Sequence, residues 1–323
     1  MKLFRPWAFQ GSTRRRNYFE GWYFKQVSAN RETVYSFIPG ISLSKDSKHS
    51  FVQVINGITS EVIYFQYPVS EFKASVKDLN VRVGNSLFSF DGIKLDLKNE
   101  TQEIKGELSF DSVEPYPSSR MNPGIMGWYS FVPFMECKHG VVSMGHNLEG
   151  IVSVNSVEHN FNSGRGYIEK DWGTSFPESW IWLHCNTFDT SDTSFTFSVA
   201  KIPWLGSFFI GFISYLKVGK LFYNFSTWSN ANIVSLKYRD NNLDISLANK
   251  DLVLDVKATN NLPGNLRAPV KGSMSRMIKE TVDGSIRIEL KNHSGHSLFK
   301  DTGIRAGMEI IHKMLGYFEI PQP

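Results

Sequence analysis

The sequence predicts an all-β protein built from two antiparallel barrels or sandwiches in tandem, and three observations lead to this class. Short runs rich in Val, Ile, Phe and Tyr recur along the chain with turn signals between them. Aromatic residues, which favour strands and line apolar pockets, make up 14% of the sequence. The length of 323 residues suits about two domains.

In the first half, the predicted strands follow one another at short intervals, and several alternate polar with apolar residues as half-buried strands do. Gly84-Asn85-Ser86 is a glycine-led hairpin turn between two of them. The predicted strands are residues 33–38, 49–55, 62–67, 71–76, 81–83, 87–90, 94–97, 104–110, 128–134, 141–144 and 150–154.

The second half repeats this pattern, with turns at Val218-Gly219 and Asp240-Asn241-Asn242 and a hairpin predicted at Asp283-Gly284. Residues 305–315 form the single candidate helix. The pattern thins out at residues 157–166, so we place the junction there, between domains at residues 1–160 and 161–323. The predicted strands are residues 180–188, 195–201, 208–216, 221–228, 233–238, 243–247, 252–259, 276–282 and 286–290.

Charge, cysteine content and apolar runs exclude several classes of protein. The net charge of +4 does not predict a nucleic-acid partner. Two cysteines, Cys137 and Cys185, cannot make a disulfide framework in this chain and suit a reducing compartment. The N-terminus has no long apolar segment, so no secretory signal is expected. The longest apolar run, residues 202–216, is shorter than the roughly 20 residues of a membrane helix. We expect a cytoplasmic protein, with peripheral membrane contact left open.

The first segment that carries chemistry is residues 14–25, where Glu20 stands among aromatic residues. A carboxylate there is costly to bury unless a cation pairs with it, and Lys25 or an arginine of Arg14-Arg15-Arg16 could do so. The alternative is a structural role in an edge strand, with Glu20 bonded to backbone or arginine. The three arginines suit a solvated face or an anionic head group.

The second segment, residues 164–186, sets Glu169, Asp171 and His184 among three tryptophans. If residues 180–186 form a strand, its even-numbered side chains share one face because side chains alternate. That face resembles a pocket lining with a polar end, and an ordinary core face with a satisfied histidine is the alternative. An apolar pocket is expected here, with Phe195 or Phe197 as further lining. The residues on the shared face are Trp180, Trp182, His184 and Asn186.

No segment has the order or spacing of a Ser-His-Asp triad, a nucleophile elbow, a phosphate loop or a metal-ligand set. His293 and His296 flank only a Ser-Gly turn. The sequence therefore predicts no cofactor and no metal.

Several of these segments resemble the signatures of the tocopherol cyclase family. The matching segments are residues 15–25, residues 167–173, Phe176-Pro177, Trp180-Ile181-Trp182, Cys185-Asn186 and Leu266-Arg267-Ala268-Pro269. They lie in order along most of the chain. The resemblance implies two consecutive lipocalin-like β-barrel domains, and an acid-catalysed cyclisation of a prenylated quinol or phenol to a chroman-type ring.

The chain departs from the plant pattern at two site positions. His184 stands where plant cyclases have Gln, and Asp171 where they have Asn. Plant cyclases also carry a plastid-targeting extension, whereas the first matching segment here begins near the N-terminus, as expected for a bacterial or otherwise untargeted member. The identity of the substrate therefore stays open.

The reaction that the resemblance implies needs a proton donor to an alkene, stabilisation of a tertiary cation, and a base for the phenol proton. Glu169 and Asp171 are the candidate acids, with Glu20 behind them, because an apolar pocket raises the pKa of a carboxyl group. His184 is the candidate base. Aromatic faces would stabilise the cation. The candidate ligand-binding residues are Trp22, Tyr23, Tyr167, Trp172, Trp180, Trp182 and Asn186.

Three classes of function stay open, and each has an apolar small molecule as its partner. The first is a cyclase acting on a prenylated quinol or phenol. The second is a non-catalytic lipocalin-like carrier of an apolar isoprenoid, and the third is an isoprenoid hydratase or other isomerase. Water retained in the product would separate a hydratase from a cyclase.

Overall fold

The computed structural model describes residues 2–133, 135–204 and 206–318. Within these residues the chain is all-β, as predicted, with 22 strands in two antiparallel sheets. This part of the chain contains no α-helix, and none of its helical pieces has the length and apolar character needed to cross a membrane. Those pieces are five 3-10 turns: Lys2–Phe4, Val69–Glu71, Gly127–Phe131, Thr227–Ser229 and His312–Tyr317.

The first sheet contains twelve strands: β1 (Tyr18–Val27), β2 (Val34–Leu43), β3 (Lys48–Asn56), β4 (Val62–Tyr67), β5 (Phe72–Ala74), β6 (Asn80–Val83), β7 (Ser86–Ser89), β8 (Gly92–Lys98), β9 (Glu103–Asp111), β10 (Cys137–Val154), β11 (Val157–Asn160) and β12 (Gly164–Gly173). Their hydrogen-bonded order is β4-β3-β2-β1-β12-β10-β9-β8-β7-β6-β5, with β11 paired to β10. β12 thus lies between β1 and β10, and this placement builds the site.

The second sheet contains ten strands: β13 (Trp180–Cys185), β14 (Thr193–Trp204), β15 (Ser207–Val218), β16 (Leu221–Asn224), β17 (Asn232–Arg239), β18 (Asn242–Ala248), β19 (Leu252–Thr259), β20 (Gly264–Val270), β21 (Ser273–Asn292) and β22 (Ser297–Ile310). Their order is β16-β15-β14-β13-β22-β21-β19-β18-β17, with β20 paired to β21. Asp240 and Asn241 both have positive φ, 50° and 63°, and form the predicted turn between β17 and β18.

Alternation of apolar and polar residues places one face of each strand in the core. In β8, Ile93, Leu95 and Leu97 are buried, whereas Lys94 and Lys98 are exposed. β2 and β6 are far apart in the order of the first sheet but contact each other, so this sheet curls around its apolar residues. Burying these side chains supplies the main driving force for folding, since each contributes about 1.5–3 kcal/mol.

The chain divides into two compact units. Unit 1 comprises Met1–Phe176 and Asn265–Met277, and unit 2 comprises Pro177–Gly264 and Ile278–Pro323. The junction predicted at residues 157–166 lies inside unit 1, because β12 pairs with both β1 and β10 and continues the first sheet to Gly173.

The distant segment 265–277 belongs to unit 1 through specific hydrogen bonds. Ser42 Oγ donates to the carbonyl of Gly272 at 2.7 Å. The Gln53 amide donates to the Arg267 carbonyl at 3.0 Å and accepts from the Arg267 N–H at 2.9 Å. The Arg267 guanidinium also lies 4.4 Å from the centre of the Tyr64 ring. Unit 1 is therefore discontinuous in sequence.

Three local predictions are wrong. Residues 128–133 do not form the strand predicted at residues 128–134, because Gly127–Phe131 is a 3-10 turn; residue 134 lies outside the described residues. Asp283-Gly284 does not turn the chain, because β21 runs through it as one strand with a β-bulge against β22. The Met308 side chain occupies the space beside Gly284, and a Cβ on this glycine would lie 1.9 Å from Met308 Cε. Residues 305–315 are not a helix: β22 extends to Ile310 and a 3-10 turn follows. Ala306, Met308 and Ile310 are buried at a spacing of two, the period of a strand.

Candidate active site

The two faces of β12 carry two different groups of polar residues. β12 pairs with β1 so that Gly21 lies opposite Asp171 and Tyr23 opposite Glu169. On its other side, β10 places His139 opposite Asp171. Because side chains alternate along a strand, odd-numbered residues of β12 point away from the core of unit 1 and even-numbered ones towards it. We call Tyr167, Glu169, Asp171 and His139 the outer cluster, and Glu20, Lys170, Trp22 and Trp172 the inner cluster.

The outer cluster is a chain of hydrogen-bonding groups centred on the ring of His139. His139 Nδ1 donates to Asp171 Oδ1 at 3.0 Å, and His139 Nε2 lies 3.7 Å from Glu169 Oε2. The Tyr167 hydroxyl donates to the same Glu169 oxygen at 2.7 Å. Glu169 is only 5% exposed, whereas a quarter of the Asp171 side chain is accessible. An imidazole held by one carboxylate and facing a second, more buried carboxyl can move a proton between its nitrogen and that carboxyl.

Two further groups border the outer cluster. Tyr23 shares a row of the sheet with Glu169, and its hydroxyl accepts a hydrogen bond from Ser36 Oγ at 2.9 Å. Cys137 Sγ lies 3.8 Å from Asp171 Oδ1. The site therefore offers hydroxyl, thiol, imidazole and carboxyl groups on one face of three adjacent strands.

The same cluster contains the residues that could hold a metal ion. One ligand atom each from His139, Glu169 and Asp171 lie within 4.8 Å of one another, and imidazole and carboxylate are common ligands of divalent cations. The ring of His139, however, presents one nitrogen to each carboxylate, and the two nitrogens point in different directions. This arrangement fits a proton relay better than a chelate.

The inner cluster is a buried ion pair that fastens the N-terminal segment, residues 2–11. Lys170 Nζ lies 2.5 Å from Glu20 Oε1 and donates to the carbonyls of Pro6 and Ala8 at 2.9 and 2.5 Å. Both side chains of the pair are fully buried. The Glu20 carboxylate also accepts from the N–H groups of Gln10 and Gly11, at 2.8 and 3.0 Å.

Aromatic residues complete the inner cluster. Lys170 Nζ lies 4.6 Å from the ring centre of Trp22 and 4.9 Å from that of Trp172, distances typical of cation–π contacts. The indole N–H of Trp22 donates to the Trp7 carbonyl at 2.8 Å. The Tyr18 hydroxyl donates a short hydrogen bond to Glu20, and burial together with that carboxylate raises the pKa of Tyr18. Trp22 and Trp172, which the sequence offers as ligand-binding residues, here surround a lysine.

Electrostatics separate the roles of the two clusters. Burial lowers the pKa of Lys170 to about 8, and the opposing charge of Glu20 limits that shift. The Glu20 carboxylate is engaged by an ammonium, two backbone N–H donors and a phenol, all within the N-terminal segment and the first sheet. Glu20 therefore suits the structural role that the sequence leaves open more than the role of a proton donor. The cation that pairs with it is Lys170, since Lys25 lies on the opposite face of β1.

The remaining candidate residues lie in unit 2 on β13 and directly after it. Trp180 Nε1 donates to Glu309 Oε2 at 2.5 Å, and the rings of Trp182 and His184 stack with centres 6.4 Å apart. His184 is fully buried, between Thr196 on β14 and Gly307 on β22. Asn186, one residue beyond β13, is also buried.

Phe195 and Phe197 do not share the face of these tryptophans, so the expected common pocket lining is wrong. The two phenylalanines lie directly opposite Cys185 and Leu183 and join them in the apolar core of unit 2. Trp180 and Trp182 alternate with those core residues and point to the other side of the sheet.

Sequence reasoning missed His139. Nothing within β10 marks this histidine, because its importance comes from pairing with β12, which lies after the intervening β11. The spacing of two residues from Cys137 is the only local sign that the two side chains share a face.

Comparisons with known proteins extend beyond the short segments. The family model described as tocopherol cyclase-like matches residues 86–311, a range that contains the outer cluster and His184 but not β1. The chain is 28% identical over 173 residues to a probable chloroplastic tocopherol cyclase of Oryza sativa subsp. japonica, covering 51% of this chain and 36% of that protein. It is 25% identical over 197 residues to a chloroplastic tocopherol cyclase of Zea mays, covering 57% and 41%. These matches span less than half the length of either relative.

Among solved structures, the chain is similar to the crystal structure of CghA with Sch210972. The TM-score is 0.56 at 9% identity, over 91% of this chain and 88% of that one. This similarity concerns the fold.

Proposed function

This chain belongs to the tocopherol cyclase-like family, and from that membership we propose that it is an enzyme that closes an oxygen-containing ring on a prenylated quinol or phenol. In this reaction a proton adds to the less substituted carbon of the prenyl double bond. The phenol oxygen then bonds to the tertiary cation, and the phenol proton leaves to a base. All substrate atoms are retained in the product.

The observation that carries the proposal is the position of Glu169 in the outer cluster. Its carboxyl is almost fully buried, faces His139 Nε2 and is held by the Tyr167 hydroxyl. Burial disfavours the charged form of a carboxyl, which is the condition for a proton donor to an alkene. We assign Glu169 as the acid and Asp171 as the group that orients His139.

The same arrangement of residues allows Glu169 to be reprotonated after each reaction. His139 can receive the phenol proton at Nε2 and return it to Glu169, 3.7 Å away. His184, the base that the sequence predicts, lies in unit 2 with Trp180 and Trp182, and its role is tested separately. We further propose that each sheet closes as a lipocalin-like barrel and that the protein acts in the cytoplasm, with transient contact to the membrane that stores its apolar substrate.

The test uses geranyl hydroquinone as substrate and mass spectrometry of the product formed in D2O. Cyclisation gives a product with one deuterium on carbon. We expect Glu169→Gln to lose about 10²–10⁴ in turnover while tryptophan quenching by the substrate is little changed. Asp171→Asn and His139→Gln should each lose activity, and His184→Gln tests the base that the sequence predicts. Glu107→Gln, an exposed carboxyl on β9, is the control and should keep parent activity.

Other outcomes decide between the alternatives. A product heavier by one water identifies a hydratase. Binding without any product, in parent and variants alike, identifies a carrier. If Glu169→Gln cyclises the substrate at the parent rate, Glu169 is not the acid. Cell fractionation tests the proposed location.

A further inference from the structure

Inside unit 1, on the core face of the first sheet, two polar side chains meet above a glycine. Gln26 of β1 and His146 of β10 both lie opposite Gly166 of β12, one on each side. Both side chains are fully buried, each 0% exposed. This group lies on the face of the sheet opposite the outer cluster, and the proposed cyclisation does not use it.

Gly166 leaves the space in which the two side chains converge. A Cβ built on Gly166 would lie 2.1 Å from His146 Nε2 and 2.4 Å from Gln26 Oε1. Both atoms are therefore directed at one point, and any larger residue at position 166 would displace them. The register of the strands explains why Gln26 and His146 are neighbours. It does not explain why the polar ends of both side chains point at the same place.

Among the residues that the structure describes, these polar atoms have no hydrogen-bond partner. They are Gln26 Oε1, Gln26 Nε2 and His146 Nε2. A buried polar atom left without a partner costs about 1–3 kcal/mol, and native proteins satisfy the great majority of such atoms. Three on one spot indicate that a further group completes them.

Ser143 fixes what His146 can do. Ser143 Oγ donates its single proton to the Gly145 carbonyl at 3.0 Å, so it accepts from His146 Nδ1, also at 3.0 Å. Burial, with the charge of Arg165, lowers the pKa of His146 to about 3, so the ring is neutral in the native protein. The ring proton is then on Nδ1, and Nε2 presents a lone pair that needs a donor.

The surroundings are aromatic on one side and polar on the other. The Phe110 ring lies 4.2 Å from that of His146, centre to centre. Across β1, Tyr35 of β2 is opposite Gln26, and its hydroxyl accepts from Asn56 Nδ2 at 3.0 Å. A polar row thus crosses the sheet inside an apolar core.

We propose that Gln26 and His146 form a buried binding site for one hydroxyl group, which donates to His146 Nε2 and exchanges hydrogen bonds with the Gln26 amide. The hydroxyl belongs either to an ordered water or to an alcohol or phenol that enters the core of unit 1. Water can donate to His146 Nε2 and Gln26 Oε1 at once. An organic hydroxyl has one proton, so the amide must rotate and donate to its oxygen.

The solution test follows the ¹⁵N resonance of His146 Nε2 in histidine-labelled protein. In the parent protein we expect the chemical shift of a neutral nitrogen that accepts a hydrogen bond. In Gln26→Leu the resonance should move to the shift of a nitrogen that accepts none. Gln66→Leu, an exposed glutamine on β4, is the control and should leave the resonance unmoved. Titration with phenol shows which molecule supplies the hydroxyl group. A saturable change of the His146 Nε2 resonance assigns an organic hydroxyl. An unchanged resonance, together with exchange of the bound hydroxyl with solvent water, assigns water.

A crystal structure of the parent protein keeps the test independent of whether Gln26→Leu folds. We expect a non-protein oxygen within hydrogen-bond distance of His146 Nε2 and the Gln26 amide. Direct contact between a rotated amide and His146, with nothing between them, would overturn the proposal. An Nε2 resonance typical of a nitrogen without a hydrogen bond in the parent protein would also overturn the proposal. Neither result depends on turnover, so the proposal of this site and the proposal of cyclase activity can be refuted independently.

Discussion

Replacing Lys170 by Met tests whether the inner cluster holds unit 1 together. The substitution keeps an unbranched apolar chain of similar length but removes the ammonium. Lys170 Nζ then no longer pairs with Glu20 or donates to the Pro6 and Ala8 carbonyls, and its contacts with two tryptophan rings are lost. The fully buried Glu20 carboxylate stays behind without its counter-charge.

The magnitude follows from that leftover charge. Breaking a buried ion pair by removing one partner costs about 3–5 kcal/mol, because the other charge stays desolvated. Lys105→Met is the matched control: Lys105 pairs with Glu103 at 2.9 Å on the surface of the same sheet, and more than half of its side chain is exposed. Solvent already screens that pair, so we expect little change in stability.

The measurement is hydrogen exchange of β1 and β12 amides, together with urea unfolding. Lys170→Met should lower the opening free energy of both strands, and protease should cut residues 2–11 faster. Adding Glu20→Gln should cost less than the two single changes summed, by about 0.5–3 kcal/mol, because the stranded charge is gone. If Lys170→Met matches Lys105→Met in stability and protease resistance, the ion pair does not hold the N-terminal segment.

Three further outcomes are expected. The pKa of His146 is lowered from 6.5 to about 3, so below pH 6.5 the unfolded state binds a proton that the native state refuses, and stability is lost as the pH falls through this window. His146→Phe should reduce the pH slope of the unfolding free energy by about 1.4 kcal/mol per unit between pH 4.5 and 6, whereas His296→Gln, in an exposed turn, should not. Gly150→Ala should lower the melting temperature and reduce the free energy of unfolding by more than about 1–3 kcal/mol. The reason is that Gly150 has φ 137° and an added Cβ would lie 2.1 Å from the Glu107 carbonyl oxygen. Gly124→Ala, in open space, should leave the melting temperature unchanged. Tyr167→Phe removes the donor to Glu169 and should lower turnover about tenfold, equal to about 1.4 kcal/mol, with ligand quenching retained; unchanged turnover would exclude a role for that hydrogen bond.

Local patterns in the sequence carried the fold class because a period of two is visible within a single strand. They also placed Trp180, Trp182 and His184 on one face of β13, since that inference needs only alternation. The turn at Asp240-Asn241 follows from residues that tolerate positive φ.

The partners of the candidate residues could not be read in the same way. Glu20 meets Lys170, and Asp171 meets His139, only because β1 and β10 flank β12 in the sheet. Strand order is set by long-range packing, and no spacing within one segment encodes it. The hairpin predicted at Asp283-Gly284 failed for a related reason. Pairing with β22 carries β21 straight through these residues, and the local turn signal contains no information on that pairing.

The discontinuity of unit 1 constrains when this unit can finish folding during synthesis. A ribosome that has released residues 1–176 has supplied every strand of the first sheet, yet Ser42 and Gln53 still lack the backbone groups of Gly272 and Arg267. Domains often fold in turn from the N-terminus during synthesis. Here unit 1 can reach its final hydrogen bonding only after most of unit 2 has also emerged, so the nascent first half must wait in an incomplete state while translation proceeds.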